Sequence, residues 1–292
     1  MLQHEETAMA TAQLLIIDPQ NDFCDVPPAW WPQDPRSGQS IAPSLPVAGA
    51  HGDMQRLAHW IRQQGARLTD ITLTLDSHQA YDIAHPAFWQ QRDGDAVAPF
   101  TSITAAQVRA GDYAPRDANV LPRVLQYLDT LEAKGRYTLM VWPLHCEIGS
   151  WGHGVHADIL AVCRDWQSTQ HRAVHHVFKG MNPWTEHYSA IRAEVPDPQD
   201  PDTGLNDALL RHLAKADQLV IAGEAGSHCV RATTEHIVQH IARFWGHADL
   251  SRITLLTDCM SPVAGFESAQ THFVQQMQTA GVRCSTSTAF QL

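Results

Sequence analysis

The sequence predicts an α/β fold: a doubly wound, mostly parallel six-stranded sheet with helices on both faces. Six short apolar runs are each bounded by polar or turn residues, and helix-like stretches lie between them. Continuous rather than alternating apolar runs are typical of strands buried on both faces of a parallel sheet. Regular alternation of strand and helix indicates a three-layer sandwich. No internal repeat divides the chain, so we expect a single domain over residues 1–292.

The strands are assigned where Leu, Ile and Val cluster before a polar or turn residue. In chain order they are 14–18 (LLIID), 71–76 (ITLTLD), 137–143 (YTLMVWP), 175–180 (HHVFKG), 218–225 (QLVIAGEA) and 252–259 (RITLLTDC). The helix-like stretches are 51–64, 119–134, 155–167, 205–215, 230–243 and 267–280. Every predicted strand is thus followed by one helix, as a doubly wound sheet requires.

Two segments, 26–46 and 86–118, interrupt this alternation. The first is rich in proline, and the second holds aromatic residues, Gly and Pro with weak periodicity. Long irregular loops that follow the first strands of such a sheet are often lids or pocket walls. A contact between subunits is the alternative. With the helix after it, the second segment predicts an inserted loop region around 86–136 near the ligand site.

Composition excludes several classes of partner. Hydrophobic residues make up 44% of the chain and charged residues 17%, which is typical of a soluble globular protein. The net charge of −11 argues against non-specific binding to nucleic acid or to anionic membranes. Residues 1–13 lack the order of a secretory signal, and six cysteines in a chain this long do not indicate a disulfide framework. We therefore expect a cytoplasmic protein, while the charge says nothing about a small substrate.

Ionisable or nucleophilic residues stand at the ends of the predicted strands, where open parallel sheets bind ligands. Cys229 follows the fifth strand at the start of a helix, where exposed N–H groups and a neighbouring lysine favour a thiolate. Asp18 and Lys179, at two other strand ends, are the candidates for moving the proton and for supplying the positive charge. The N–H groups of Ala225 and Cys229 are the candidates for holding an oxyanion. The alternative for Cys229 is a buried small hydrophobe.

A second group of residues predicts a metal site. Asp76 and His78, two residues apart, point to the same side of an extended segment, and His85 and His145 complete the group. A carboxylate with two or three imidazoles suits one divalent ion, with Zn²⁺ as the first expectation and Fe or Mn as alternatives. Polar surface turns are the alternative interpretation of these histidines.

These residues lie in five motifs, in which the chain resembles the nicotinamidase/pyrazinamidase branch of the isochorismatase-like cysteine hydrolases. The motifs occur in the family's order and are DPQNDFCD (18–25), DSHQAYDIAH (76–85), WPLHCE (142–147), FKG (178–180) and GEAGSHCV (223–230). The resemblance implies an isochorismatase-like, Rossmann-like three-layer sandwich. It also implies a cis peptide bond between Glu224 and Ala225, and it favours a homo-oligomer, since family members often assemble.

The resemblance further implies a role for each site residue. The catalytic triad would be Asp18, Lys179 and Cys229. The metal ligands would be Asp76, His78 and His145, together with His85, at a position where family members differ. The walls that flank the substrate ring would be Phe23 and Trp142, with Trp89 and His228 as further pocket walls.

The resulting expectation is a metal-containing cysteine amidohydrolase that converts nicotinamide to nicotinate and ammonia through a thioester. Two departures from the family bear on the acyl group: about sixty residues separate His78 from His145, and Gly226-Ser227 stand where many relatives have Thr-Asp. A related amidohydrolase of a carbamoyl, ureido or other small carboxamide is the nearest alternative. A metallohydrolase in which Cys229 is incidental and a non-catalytic scaffold are the others.

Overall fold

The computed structural model describes residues 10–245 and 249–292. Residues 1–9, which hold most of the segment searched for a secretory signal, lie outside the described residues. Ten strands occur in the described part of the chain, numbered in chain order. They are β1 (Ala12–Ile17), β2 (Asp70–Asp76), β3 (Trp89–Gln91), β4 (Thr101–Ile103), β5 (Tyr113–Pro115), β6 (Leu139–Val141), β7 (His175–Lys179), β8 (Gln218–Gly223), β9 (Ile253–Leu256) and β10 (Arg283–Ser285).

Six of these strands form the central sheet, in the order β10-β9-β8-β1-β2-β7. Every neighbouring pair in it is parallel. The apolar residues of β1, Leu14 to Ile17, are fully buried, which explains their continuous rather than alternating pattern. The predicted six-stranded parallel sheet is confirmed.

One strand of the prediction lies in a different place. The run 137–143 contains β6, but β6 pairs antiparallel with β4 in a separate two-stranded sheet. The sixth strand of the central sheet is β10 instead, which the sequence analysis missed. β10 has three residues, none of them fully buried, and so it carries no apolar run to detect. β6 is apolar because Leu139 and Val141 pack into a second core.

Seven α-helices occur among the described residues. They are α1 (Ala50–Gln64), α2 (Ala105–Ala110), α3 (Leu121–Ala133), α4 (Ala157–Gln170), α5 (Asp207–Leu213), α6 (Cys229–Trp245) and α7 (Glu267–Ala280). α1 packs with α4, and α6 packs with α5 and α7, which gives the helical layers of the sandwich. The six predicted helices are present, and α2 is an additional one. α2 is too short for a periodic signal, although Thr104 and Gln107 form a capping box at its start.

Residues 86–136 fold around a hydrophobic core of their own. Phe88, Trp89, Ile103 and Leu128 are fully buried there, apart from the main core. The expectation of an irregular loop over 86–118 is therefore wrong. These apolar residues have no regular spacing because short strands, a short helix and turns each contribute one or two of them.

Two further observations concern the cysteines and the lengths of the helices. Each of the six cysteines is free, five of them buried and Cys284 partly buried. Of the helices in the described ranges, none has both the length and the apolar character needed to cross a bilayer.

Candidate active site

Four neighbouring strands bring the candidate catalytic side chains to one edge of the sheet. Asp18 directly follows β1, Asp76 ends β2 and Lys179 ends β7. Cys229 is the first residue of α6, the helix after β8. Because β8, β1, β2 and β7 are adjacent and parallel, their carboxyl ends lie side by side. The topology therefore joins residues that are far apart in the sequence.

Lys179 is the centre of this arrangement. Its Nζ lies 2.9 Å from Asp18 Oδ2 and 2.9 Å from Asp76 Oδ1. Nζ also donates to Cys229 Sγ at 3.5 Å. One oxygen of each carboxylate and the sulfur lie within 4.8 Å of one another, and all four side chains are buried. The three residues predicted as a triad are thus in contact, and their catalytic roles stay a prediction.

Asp18 is held in place by the neighbouring strand. Its φ is 45°, in the left-handed region that residues other than glycine seldom adopt. Its N–H donates to Thr74 O and to Thr74 Oγ1, both at 3.1 Å. The Thr74 hydroxyl in turn donates to Asp18 Oδ1 at 2.5 Å. These bonds fix one carboxylate oxygen and leave the other facing Lys179.

Burial shifts the pKa of each of these groups. It raises the pKa of the Cys229 thiol well above its usual value, although Lys179 acts in the opposite direction. Burial also raises the pKa of Asp18, against the lowering effect of Lys179. At Lys179, burial lowers the pKa, but Asp18 and Asp76 outweigh it and raise that pKa. The expectation of a favoured thiolate is therefore wrong for the resting site, because desolvation of the sulfur exceeds the help from the lysine.

The turn before Cys229 contains the two N–H groups predicted to hold an oxyanion. The peptide bond between Glu224 and Ala225 is cis, as the resemblance implied. His228 N and Val230 N both donate to Ala225 O. Within the described ranges, no protein acceptor receives the N–H of Ala225 or of Cys229. Both donors are therefore free for a ligand.

The predicted metal ligands converge beside this group. Asp76 Oδ2 lies 3.1 Å from His78 Nε2 and 3.5 Å from His145 Nε2. One ring nitrogen each of His78, His85 and His145 lies within 4.8 Å of the others, and all are buried. Asp76 links the two groups, since its other oxygen contacts Lys179. His145 reaches the site although β6 is outside the central sheet, because Cys146 O accepts from His78 N.

Hydrogen bonds orient these imidazoles and leave one nitrogen of each ring facing the others. His78 Nδ1 lies 3.1 Å from Asp82 Oδ2, and His85 Nδ1 lies 3.2 Å from Gln79 O. Burial, with His78 and His145 beside it, lowers the pKa of His85 to about 3, so this ring is neutral, the form that binds metals. One carboxylate and three oriented imidazoles fit a divalent transition metal ion.

A narrow cavity opens onto the Cys229 sulfur. Three of the four predicted pocket residues line it, namely Phe23, Trp142 and His228. Trp142 and His228 meet edge to face, with ring centroids 5.2 Å apart. The fourth, Trp89, does not line the cavity. Its ring is buried in the second core and its N–H donates to Ile83 O, so this prediction is corrected.

Other lining residues were missed by the sequence analysis. Glu186 and Tyr188 come from the irregular segment after β7, Leu45 comes from the proline-rich segment, and Val263 follows β9. Burial raises the pKa of Glu186 to about 8. Its Oε2 is buried without a hydrogen-bond partner in the described residues. The only sequence signal for these lining residues was their position, since their segments also follow strands that end at the edge of the candidate site.

Replacing Tyr188 with phenylalanine is expected to weaken the cavity wall. Tyr188 OH accepts the indole N–H of Trp142 at 3.0 Å, and both side chains are buried. Without the acceptor, the free energy of unfolding should fall by about 1–2 kcal/mol. For the amide substrate expected from the sequence analysis, KM should rise severalfold with little change in kcat. Tyr81→Phe, at a side chain 39% exposed, is the matched control. Equal effects of the two variants on KM would exclude this role.

No protein-family model matches the sequence, and no curated protein sequence matches it. Solved structures do share its fold. A nicotinamidase/pyrazinamidase from Acinetobacter baumanii has a TM-score of 0.60 and 19% identity, over 96% of this chain and 98% of that chain. The yeast nicotinamidase bound to the inhibitor nicotinaldehyde has a TM-score of 0.58 and 20% identity, over 94% and 100%. The L. infantum protein PnC1 in complex with nicotinate has a TM-score of 0.55 and 20% identity, over 97% and 96%. The predicted resemblance is confirmed at the level of the fold.

Proposed function

We propose that this chain is a cysteine amidohydrolase that hydrolyses a small heteroaromatic carboxamide, with nicotinamide as the first candidate. The observation that carries the proposal is the buried contact of the Lys179 ammonium with Asp18 and with the Cys229 sulfur. These groups suit nucleophilic catalysis, because the thiol has a carboxylate beside it to take its proton. The structurally similar nicotinamidases support the same class of reaction.

The chemistry follows from the resting protonation. Because the Cys229 thiol is neutral at rest, Asp18 takes its proton as the sulfur attacks the carboxamide carbon. The N–H groups of Ala225 and Cys229 donate to the developing oxyanion. Asp18 then returns the proton to the departing ammonia and leaves a thioester. In the second half, Asp18 takes a proton from the water that attacks the thioester, and it returns this proton to the Cys229 sulfur as the carbon–sulfur bond breaks and the acid is released. The Lys179 ammonium, 2.9 Å from Asp18, favours the ionised form of that carboxylate between these transfers.

A divalent metal ion is part of the proposal, with Zn²⁺ as the first candidate. Asp76, His78, His85 and His145 would hold it. A bound ion there would supply a Lewis-acidic position for a ring nitrogen of the substrate or for water. Asp76 would then connect the ion to Lys179, because its two oxygens face the two groups.

The walls of the cavity support a flat aromatic substrate over a ureido compound. Phe23, Trp142 and His228 present rings to the space in front of Cys229. Aromatic rings pack best against other planar rings. Two of the structurally similar proteins were solved with nicotinaldehyde and with nicotinate, which are substituted pyridines. A carbamoyl or ureido compound would gain little from these walls.

Charge and cysteine usage support the rest of the proposal. The net charge of −11 disfavours nucleic acid and anionic membranes as partners, in agreement with a small-molecule substrate. Six free cysteines are in accord with a reducing compartment such as the cytoplasm.

Ammonia release from a panel of amides tests the proposal. The purified chain, supplied with Zn²⁺, Fe²⁺ or Mn²⁺ in turn, is assayed with nicotinamide, pyrazinamide, benzamide and two ureido compounds. We expect turnover of nicotinamide and pyrazinamide, weaker turnover of benzamide, which lacks a ring nitrogen, and none of the ureido compounds. Preferred turnover of a ureido compound would support the alternative substrate class. No turnover of any amide with any of the metals would end the proposal.

A further inference from the structure

A second group of metal-ligand side chains lies at the opposite edge of the sheet, where the strands begin. Asp70 is the first residue of β2, His175 is the first residue of β7, and His212 lies in the last turn of α5. One donor atom of each lies within 4.8 Å of the others. At about 3.3 Å per residue, the length of β2 places this group roughly 20 Å from Asp76. The group is therefore separate from the candidate active site.

The distances between the metal-ligand atoms of this group suit a bound cation better than direct hydrogen bonds between the side chains. Asp70 Oδ2 lies 3.5 Å from His175 Nε2, and Asp70 Oδ1 lies 3.4 Å from His212 Nε2. Both distances exceed the range of about 2.7–3.2 Å typical of N–H···O hydrogen bonds. Two ligands of a tetrahedral zinc ion, each about 2.0–2.2 Å from the metal, stand roughly 3.3–3.6 Å apart. The observed distances fall in that range.

Several buried polar atoms around this group make no hydrogen bond. Asp70 Oδ1 and His212 Nε2 face each other at 3.4 Å, yet neither makes a hydrogen bond within the described residues. Gln13, the neighbour of Asp70 across β1 and β2, donates its Nε2 to His212 O at 3.2 Å. Gln13 Oε1 is also buried without a hydrogen bond in the same part of the chain. Buried polar atoms without partners are rare in native proteins, and each needs an explanation such as an ion.

The group is open to solvent on one side. The His175 side chain is 55% exposed, whereas those of Asp70 and His212 are about four-fifths buried. The His175 and His212 rings lie with centroids 4.3 Å apart, and each ring has its Nε2 toward the Asp70 carboxylate. An ion can enter past His175 and keep a water as a further ligand. Two imidazoles and one carboxylate form a donor set that suits Zn²⁺ and related ions.

We propose that Asp70, His175 and His212 form a second binding site, for a divalent transition metal ion of the Zn²⁺ class. The ion ties the starts of β2 and β7 to the end of α5, at the edge of the sheet away from the substrate. The site does not depend on the proposed function, since none of its residues lines the cavity in front of Cys229.

Metal stoichiometry tests this site. The full chain is stripped of metal, titrated with Zn²⁺ alone and followed by calorimetry, with bound zinc measured after gel filtration. The variant His175→Gln/His212→Gln is expected to bind one equivalent fewer than the wild type and to keep its amide hydrolysis. The difference of one equivalent between the two proteins is expected whether or not the candidate active site takes up zinc. The second metal site and the proposed amide hydrolysis are therefore tested independently of each other.

Two further variants sharpen the result. His176→Gln alters the next histidine of β7, whose side chain points to the other face of the strand, and should bind as much zinc as the wild type. Asp70→Asn keeps both imidazoles and covers the case in which the double variant does not fold. It should weaken zinc binding at this site by more than about tenfold, because even loss of a group that only orients a ligand costs about 10–100-fold. Equal stoichiometry of the wild type and the double variant, or unchanged affinity in Asp70→Asn, would overturn the proposal.

Discussion

Replacing Cys229 with alanine is expected to lower kcat for amide hydrolysis by at least ~10³, because no other group described at the site can form the acyl intermediate. The sulfur lies 3.5 Å from the Lys179 ammonium at the mouth of the aromatic cavity. Alanine fills most of the same buried space, so the fold and the metal ligands should stay intact. Ammonia release with nicotinamide, together with metal content and circular dichroism, measures the effect.

Cys163→Ala is the matched control. Cys163 is also a buried helical thiol, in α4, and it neither lines the cavity nor belongs to the candidate metal ligands. It should lose stability of the order of 1 kcal/mol and keep its activity. If Cys229→Ala kept most of its turnover, the enzyme would be a metallohydrolase in which the metal activates water. Chelation could not make this distinction, because both mechanisms include the metal.

Replacing Lys179 with methionine is expected to remove both activity and much of the stability. The ammonium lies 2.9 Å from each of two buried carboxylates, Asp18 and Asp76, and its side chain is 1% exposed. Its loss leaves these carboxylates without their cation, which costs about 3–5 kcal/mol for a broken buried ion pair. Turnover should fall by at least ~10³, since Asp18 would hold its proton and no longer act as a base. Denaturant unfolding and ammonia release measure the two effects.

Two further variants distinguish the loss of the buried ammonium from a general effect of replacing a lysine on folding. Lys215→Met changes an exposed lysine and should alter neither stability nor activity. Asp18→Asn/Lys179→Met removes one buried carboxylate along with the ammonium, so it should recover part of the lost stability and none of the activity. If Lys179→Met were as stable as the wild type, the ion pairs described here would not hold the site together.

The topology explains why so much of this site could be predicted. Asp18, Asp76 and Lys179 each mark the end of a strand, and parallel strands place such residues at one edge of the sheet. An apolar run followed by an ionisable residue is a local pattern, yet in a parallel sheet it predicts contacts between residues that are far apart in the sequence. The candidate metal ligands were predicted from similar positions with a short D-x-H spacing as the additional signal, although β6, which precedes His145, lies outside the central sheet.

Other features depend on which segments pack together, which a local pattern does not contain. The apolar run at 137–143 lies in a small outer sheet because β6 pairs with β4. The sixth strand of the central sheet is β10 because it pairs with β9. Trp89 and Trp142 are both buried tryptophans near predicted strands, yet only Trp142 lines the cavity. The group at Asp70, His175 and His212 likewise arises only when β2, β7 and α5 meet.

The sequence by itself determined the class of fold, the edge of the sheet at which the candidate site lies and the residue types at that edge, because these follow from strand periods and from the direction of parallel strands. Only the tertiary structure decided which side chains face the cavity and how they are charged at rest. Depth of burial controls both, and it shifts the Cys229 thiol toward its neutral form against the nearby lysine. Burial is a property of the packed layers and cannot be read from one segment of chain.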